Sequence, residues 1–277
     1  MKSIFKISVL LAAAAFVTIA RAQDEAKPEE TSAKRAEMLK EMTSQAAAYK
    51  LTLDNKSETK LELHGEPLLR FSNPLSGVPD GVALMWKDGK RPAVVAQVFQ
   101  TKEGLWIHEV QSLADTGLTM QRDGETFWQP RDGAEPFQKL DKAPPLADSP
   151  TKRLAQMRAL AEEFSAVVDS KISASDKETT RHLLRLLPRP VYRYQDEEND
   201  IAEGAMFAFV QGTDPELFLV LEYRDQPAAS AGWYYTLTPM TCWAVTASRE
   251  KKEIWSVPDR MGKSTKASLY HVWIYKQ

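Results

Sequence analysis

The chain has 277 residues, 43% hydrophobic and 27% charged, with a formal net charge of −2. That balance suits a packed globular protein; it supplies no basic face of the kind nucleic acid requires and nothing that would draw the chain to an anionic membrane. The lone cysteine, Cys242, excludes an intrachain disulfide, so the core itself must hold the fold.

The N-terminus reads as a cleavable export signal. Lys2 and Lys6 precede an apolar run, Ile7 to Ala20, and Ala20-Arg21-Ala22 supplies the small-x-small pattern that signal peptidase accepts. Cleavage is expected before Gln23. The run is shorter than the ~20 residues a spanning helix needs, and no later segment is apolar enough to cross a membrane. With no cysteine beside the cleavage site, a lipid anchor is not expected either. The expected location is the periplasm or the exterior.

A helix is predicted over 31–49, where Met38, Leu39, Met42, Ala46 and Tyr49 form one apolar stripe. Strands are predicted around Leu51–Leu53, Leu61–Leu63, Leu68–Ser72, Val82–Trp86, Ala93–Phe99, Trp106–Leu113, Leu118–Arg122, Glu125–Gln129 and Phe137–Leu140. Asp88-Gly89 and Asp123-Gly124 sit between apolar runs and signal hairpins, because glycine accepts the positive φ of a tight primed turn. A proline-rich stretch over 141–150 reads as a linker.

Ser149 and Pro150 fit the N-cap and first turn of a second helix, with Leu154, Met157, Leu160, Ala161, Phe164 and Val168 on its stripe. A third helix is expected from Ser175, three residues before Glu178 as in a capping box, to about Leu187, where Pro188 stops it. Seven strands follow, over 191–195, 205–211, 216–223, 233–238, 242–248, 253–257 and 268–275.

The two halves match at a constant offset. Pro67 falls on Pro190, Arg70 on Arg193, Phe71 on Tyr194, Gly81 on Gly204, Gly89 on Gly212 and Pro92 on Pro215. After an insertion in the next loop, Trp106 falls on Trp233, Thr119 on Thr246, Arg122 on Arg249 and Trp128 on Trp255. The expected fold is therefore α+β: a first unit over 23–143 and a second over 144–277. Each is a helix or helix pair followed by five or six antiparallel strands, and a pseudo-two-fold relates them. Val82–Trp86 and Ala205–Val210 are apolar on both faces, so both faces need cover.

Arg153–Ala161 and Gly204–Glu216 (GAMFAFVQGTDPE) resemble segments of a family of exported bacterial proteins with no assigned function. The resemblance extends over most of the chain after the signal. It implies export and brings no activity, cofactor or site residues.

Motifs for nucleotide, metal and acyl-transfer chemistry are missing: no nucleophile elbow, P-loop, H-E-x-x-H or C-x-x-C occurs. His64, His108, His182 and His271 lack metal-ligand spacing. No metal and no cofactor is expected.

Residues that differ between the units are freer to serve function. His108 and Glu109 stand where the second unit has Tyr235 and Thr236. As strand neighbours they point to opposite faces and cannot form one acid–base pair. Glu109 among apolar neighbours needs a cationic partner if buried, and Arg70 is a candidate. Arg70 and Arg193 read first as structural ion-pair residues. Trp106, Trp233 and Tyr235 read as core or as the wall of an aromatic cleft. These seven residues are the candidates for ligand contact; no catalytic residue is assigned. Cys242 reads as an inert buried thiol.

Three classes of role remain. The first is a non-catalytic binding or interaction module of the cell envelope, with a small molecule, glycan or envelope protein as partner. The others are an exported hydrolase with a site assembled from distant strands, and an assembly protein pairing through sheet edges.

Overall fold

A computed structural model describes residues 28–171, 178–225 and 228–276. The signal segment lies outside the described residues. The described residues from Glu37 onward form one compact unit. Antiparallel sheet dominates, with two α-helices among the described residues, so the fold is β-rich α+β.

Helix α1 (Pro28–Ala47) leads into β1 (Lys50–Leu53), β2 (Lys56–Lys60), β3 (Glu62–Leu63), β4 (Leu69–Asn73), β5 (Val78–Asp88), β6 (Arg91–Gln100) and β7 (Trp106–Ser112). Then come β8 (Leu118–Arg122), β9 (Glu125–Trp128) and β10 (Gln138–Lys139). Helix α2 (Pro150–Glu162) precedes β11 (Phe164–Ser170), β12 (Thr180–Leu186), β13 (Tyr192–Asp196), β14 (Ile201–Gln211) and β15 (Asp214–Arg224). The chain continues through β16 (Gly232–Pro239), β17 (Ala244–Arg249), β18 (Lys252–Val257) and β19 (Tyr270–Tyr275).

The strands form three sheets, ordered β2-β1-β8-β9, β19-β7-β6-β5-β3 with β4 also on β5, and β10-β16-β15-β14-β12-β11-β17-β18 with β13 also on β14. The Asp123-Gly124 hairpin has positive φ at both residues (52° and 83°), as a primed turn requires.

Two expectations are corrected. The region expected to be a helix from Ser175 to Leu187 contains strand β12 from Thr180, hydrogen-bonded to β11 and β14; Ser175 itself lies outside the described residues. Leu183, Leu184 and Leu186 mimic a helical stripe, but Leu183 is 75% exposed, and two sheet partners outweigh local pattern. The second helix also stops short of its expected stripe. It ends at Glu162, and Phe164–Ser170 pairs with β17 instead, which suits the β-branched Val167-Val168.

Three apolar clusters explain the layering. Met42 and Ala46 from α1, with Tyr49 just after it, pack on Leu84, Trp86, Val94, Trp106 and Trp128. Met157, Leu160 and Ala161 from α2 pack on Phe207, Leu217, Leu219 and Trp233. Between the sheets, Ala83, Met85 and Val95 meet Met206, Ala208, Phe218 and Val220. Successive residues of β5 and β14 thus feed different clusters, which is why both strands are apolar throughout.

Candidate ligand-binding site

The face of β15 that meets the first half of the chain carries Asp214, Glu216, Phe218, Val220 and Glu222. Phe218 and Val220 fill the apolar contact between the sheets. The carboxyl groups at its two ends have opposite surroundings.

Glu222 is fully buried and fully partnered. Arg91 Nε donates to its Oε1 at 2.8 Å, Arg224 Nη2 to its Oε2 at 2.6 Å, and the Tyr194 hydroxyl to its Oε1 at 2.7 Å. Both guanidinium groups also stack over Phe137. Two cations and a hydroxyl offset the desolvation of one carboxylate.

At the other end Asp214 and Glu216 are 8% and 6% exposed and make no ion pair among the described residues. Asp214 accepts from Asn73 Nδ2 and Gln97 Nε2, each at 3.2 Å. Gln97 is the cross-strand neighbour of Glu109 on β7, so the register of β6 and β7 brings Glu109 to the same place. Glu109, Asp214 and Glu216 all line one cavity of about 260 Å³. Its apolar wall includes Val78, Phe99, Ile107, Met240 and Trp243; Ser170, Lys171, His182 and Cys242 also line it.

Burial raises all three carboxyls. Glu109 is pushed up to about 8, by desolvation and then by the Asp214 charge, against a smaller pull from Tyr270 and Arg260. Asp214 is pushed up to about 7 by desolvation, although the Asn73 and Gln97 amides oppose it. Glu216 lies well above its ordinary range, through desolvation and the neighbouring Asp214 and Glu109, with the Thr241 hydroxyl opposing. The Cys242 thiol is raised for the same reasons, burial first and then Glu109 and Glu216. These groups hold protons that solvent-exposed carboxyls would lose, so the cavity can donate hydrogen bonds or, on ionising, hold a cation.

The other candidates named from sequence lie elsewhere. His108 is buried in the first core, its Nδ1 3.0 Å from the Tyr49 hydroxyl and its Nε2 2.9 Å from Gln45 Oε1. Desolvation, with the Arg122 charge, lowers it to about 3. Trp106 is in that core, and Trp233 and Tyr235 are in the second. Tyr235 donates to Gln138 Oε1 at 2.7 Å. They do not line a common cleft.

The candidate Arg70–Glu109 pair is a further correction. Arg70 Nε binds Asp80 Oδ1 at 2.7 Å across the β4–β5 hairpin, because the adjoining strand supplies a carboxylate two residues from its cross-strand partner Val82. Arg193 similarly binds Glu203 Oε1 at 2.6 Å and the Pro150 carbonyl at 2.9 Å. Glu109 alone of the seven reaches the cavity. Asp214 falls between the predicted strands 205–211 and 216–223, and Glu216 at the edge of the second; their alternation with Leu217, Leu219 and Leu221 was the available signal.

No group of three or more His, Cys, Asp or Glu among the described residues is arranged to hold a metal ion, and no helix among them is long and apolar enough to cross a membrane. The chain matches no protein-family model, no curated protein and no solved structure.

Proposed function

We propose that the chain is an exported, non-catalytic binding module that takes a small molecule into the cavity lined by Glu109, Asp214 and Glu216. The observation that carries this reading is the contrast along β15. Glu222 has two arginines, whereas the carboxyls around the cavity have no ion pair among the described residues. Folding leaves unfavourable polar burial beside a space of about 260 Å³, the combination expected of a ligand pocket.

We read the chain further as two tandem units, over 23–143 and 144–277, related by a pseudo-two-fold. Strand partnership supports this. The run β4·β5·β6·β7 has the pairings of β13·β14·β15·β16, and β1·β8·β9 those of β11·β17·β18. Arg70 with Asp80 recurs as Arg193 with Glu203. Phe71 against Gly81 recurs as Tyr194 against Gly204.

The last strand of each proposed unit joins the other: β10 pairs with β16, and β19 with β7. Trp128 Nε1 donates to Ser268 and Trp255 Nε1 to Glu135, each reaching the segment that enters the exchanged strand. In this register Arg91 corresponds to Asp214. One copy of the position completes an ion pair, and the other lines the cavity.

A second reading, an exported hydrolase, draws support from carboxyls raised toward neutrality, as a general acid requires. Turnover of chromogenic glycosides and esters that is lost in Glu109→Gln would favour it over the binding module.

A thermal-shift panel on residues 23–277 tests the binding reading, with sugars, glycan fragments, fatty acids, peptides and amines. A ligand at about 100 times its Kd adds about 2.7 kcal/mol. A saturable shift that Glu216→Gln weakens is expected; a flat panel overturns the reading. Mass spectrometry of the exported protein tests cleavage before Gln23.

A further inference from the structure

The geometry points to a small organic cation, an amine or guanidine with a short apolar portion, as the ligand of this cavity; the inference rests on the binding reading above. Three observations combine. The first is Glu216, 6% exposed and lining the cavity, where the Thr241 hydroxyl relieves its carboxyl group and no ion pair does so among the described residues. The second is the treatment of Glu222. This chain does neutralise a buried glutamate with guanidinium groups, from Arg91 and Arg224, and at the cavity it supplies no equivalent among the described residues.

The third is the wall. Val78, Phe99, Ile107, Met240 and Trp243 can cover carbon but cannot coordinate an ion. The acids are not arranged to hold a metal, so a bare divalent ion is the poorer fit. An ammonium or guanidinium group can donate to Glu216, Glu109 and Asp214 while its alkyl portion covers the apolar wall.

The other charged or titratable groups around the site are Lys171 just after β11, His182 on β12 and Cys242 before β17, with Arg260 and Tyr270 behind Glu109. Neither Lys171 nor His182 forms an ion pair with the three acids. Arg260 instead bonds the Thr241 carbonyl at 2.6 Å and lies 4.1 Å from the Tyr270 ring centroid. A cation entering among protonated carboxyls favours their ionised form, so binding releases protons.

The test uses residues 23–277 in titration calorimetry and thermal shift near neutral pH. The probes are hexylamine and agmatine, the neutral 1-hexanol, the anion hexanoate, and calcium and magnesium chloride. One or both amines are expected to bind saturably, with proton release read as a binding heat that differs between phosphate and Tris buffers, while hexanol and hexanoate do not bind. The double variant Asp214→Asn, Glu216→Gln should lose at least about tenfold in amine affinity, with a ligand-free Tm unchanged or higher to confirm that it folds.

Equal affinity for hexanol, a metal shift without an amine shift, or amine binding undiminished in the double variant overturns the cation assignment. Amines that fail while a sugar, lipid or peptide in the wider panel binds overturn it and leave the binding module standing. Failure of every probe and of the wider panel overturns both.

Discussion

Glu216 and Glu222 share one face of β15 and are both buried, yet Glu222 has Arg91, Arg224 and Tyr194 around it, whereas Glu216 has a cavity and the Thr241 hydroxyl. The two substitutions to glutamine therefore act in opposite directions. Glu222→Gln leaves two arginines short of a counter-charge and is expected to cost about 3 kcal/mol or more. Glu216→Gln removes an ionisable group from an apolar setting and is expected to leave stability unchanged or raised. Urea titrations of the two variants side by side check the sign; a loss of more than about 2 kcal/mol in Glu216→Gln contradicts the description of the cavity.

The pH dependence follows from the same carboxyls. Glu109 and Asp214 ionise near 4.5 and 3.8 in ordinary surroundings and near 8 and 7 in the fold. Between those values the folded chain holds more protons than the unfolded one. Their stabilising contribution is complete below about pH 4 and declines as pH rises through about 7 to 8. Tm of the ligand-free protein should fall between about pH 6 and pH 8.5, and Glu109→Gln or Asp214→Asn should flatten that fall. An unchanged slope in both variants contradicts it.

His108 acts in the opposite sense. Its ring is neutral in the fold, held near 3 against an ordinary 6.5, so its contribution is lost as pH falls from about 6.5 toward 3. His108→Phe should remove that acid-side dependence. It should also cost about 2–4 kcal/mol at neutral pH, because the Tyr49 hydroxyl and Gln45 Oε1 lose their ring partner. Ligand affinity at the cavity should not change. Thermal melts from pH 4 to 7 and one binding isotherm are sufficient.

Gly81 and Gly204 are tests of close packing. A Cβ at Gly81 would lie 2.5 Å from Phe71 Cζ, and one at Gly204 2.5 Å from Tyr194 Cζ. Alanine at either site forces the ring away and should cost about 1–3 kcal/mol. At Gly204 it also displaces the tyrosine that donates to Glu222, so Gly204→Ala should be the more costly. Equilibrium unfolding of the two variants checks the order.

The parts of the fold carried by local chemistry were legible in the sequence. Asp123-Gly124 gave the hairpin, and Ser149-Pro150 the start of α2, where the Ser149 hydroxyl accepts from Lys152 N. Strand β12 was not, because Leu183 and Leu184 carry no mark of the two strands that bracket them. The site was legible only in Glu109, an acid among apolar strand residues. Asp214 and Glu216 acquire their surroundings from Asn73, Gln97 and Glu109, which approach through the stacking of two sheets that no local pattern encodes. Arg70 differs: Asp80 reaches it locally, across one hairpin.

The placement of β19 bears on the order in which the protein can assemble. Tyr270–Tyr275 zips along the open edge of β7, opposite residues Trp106–Gln111, and contributes Trp273 and Tyr275 to the aromatic ring contacts of His108. The first six-stranded sheet thus waits for a segment synthesised long after its other strands. A ribosome that still holds β19 therefore holds a chain whose first core lacks Trp273 and Tyr275. A strand made late is thus the latch that closes a core whose other strands are made early.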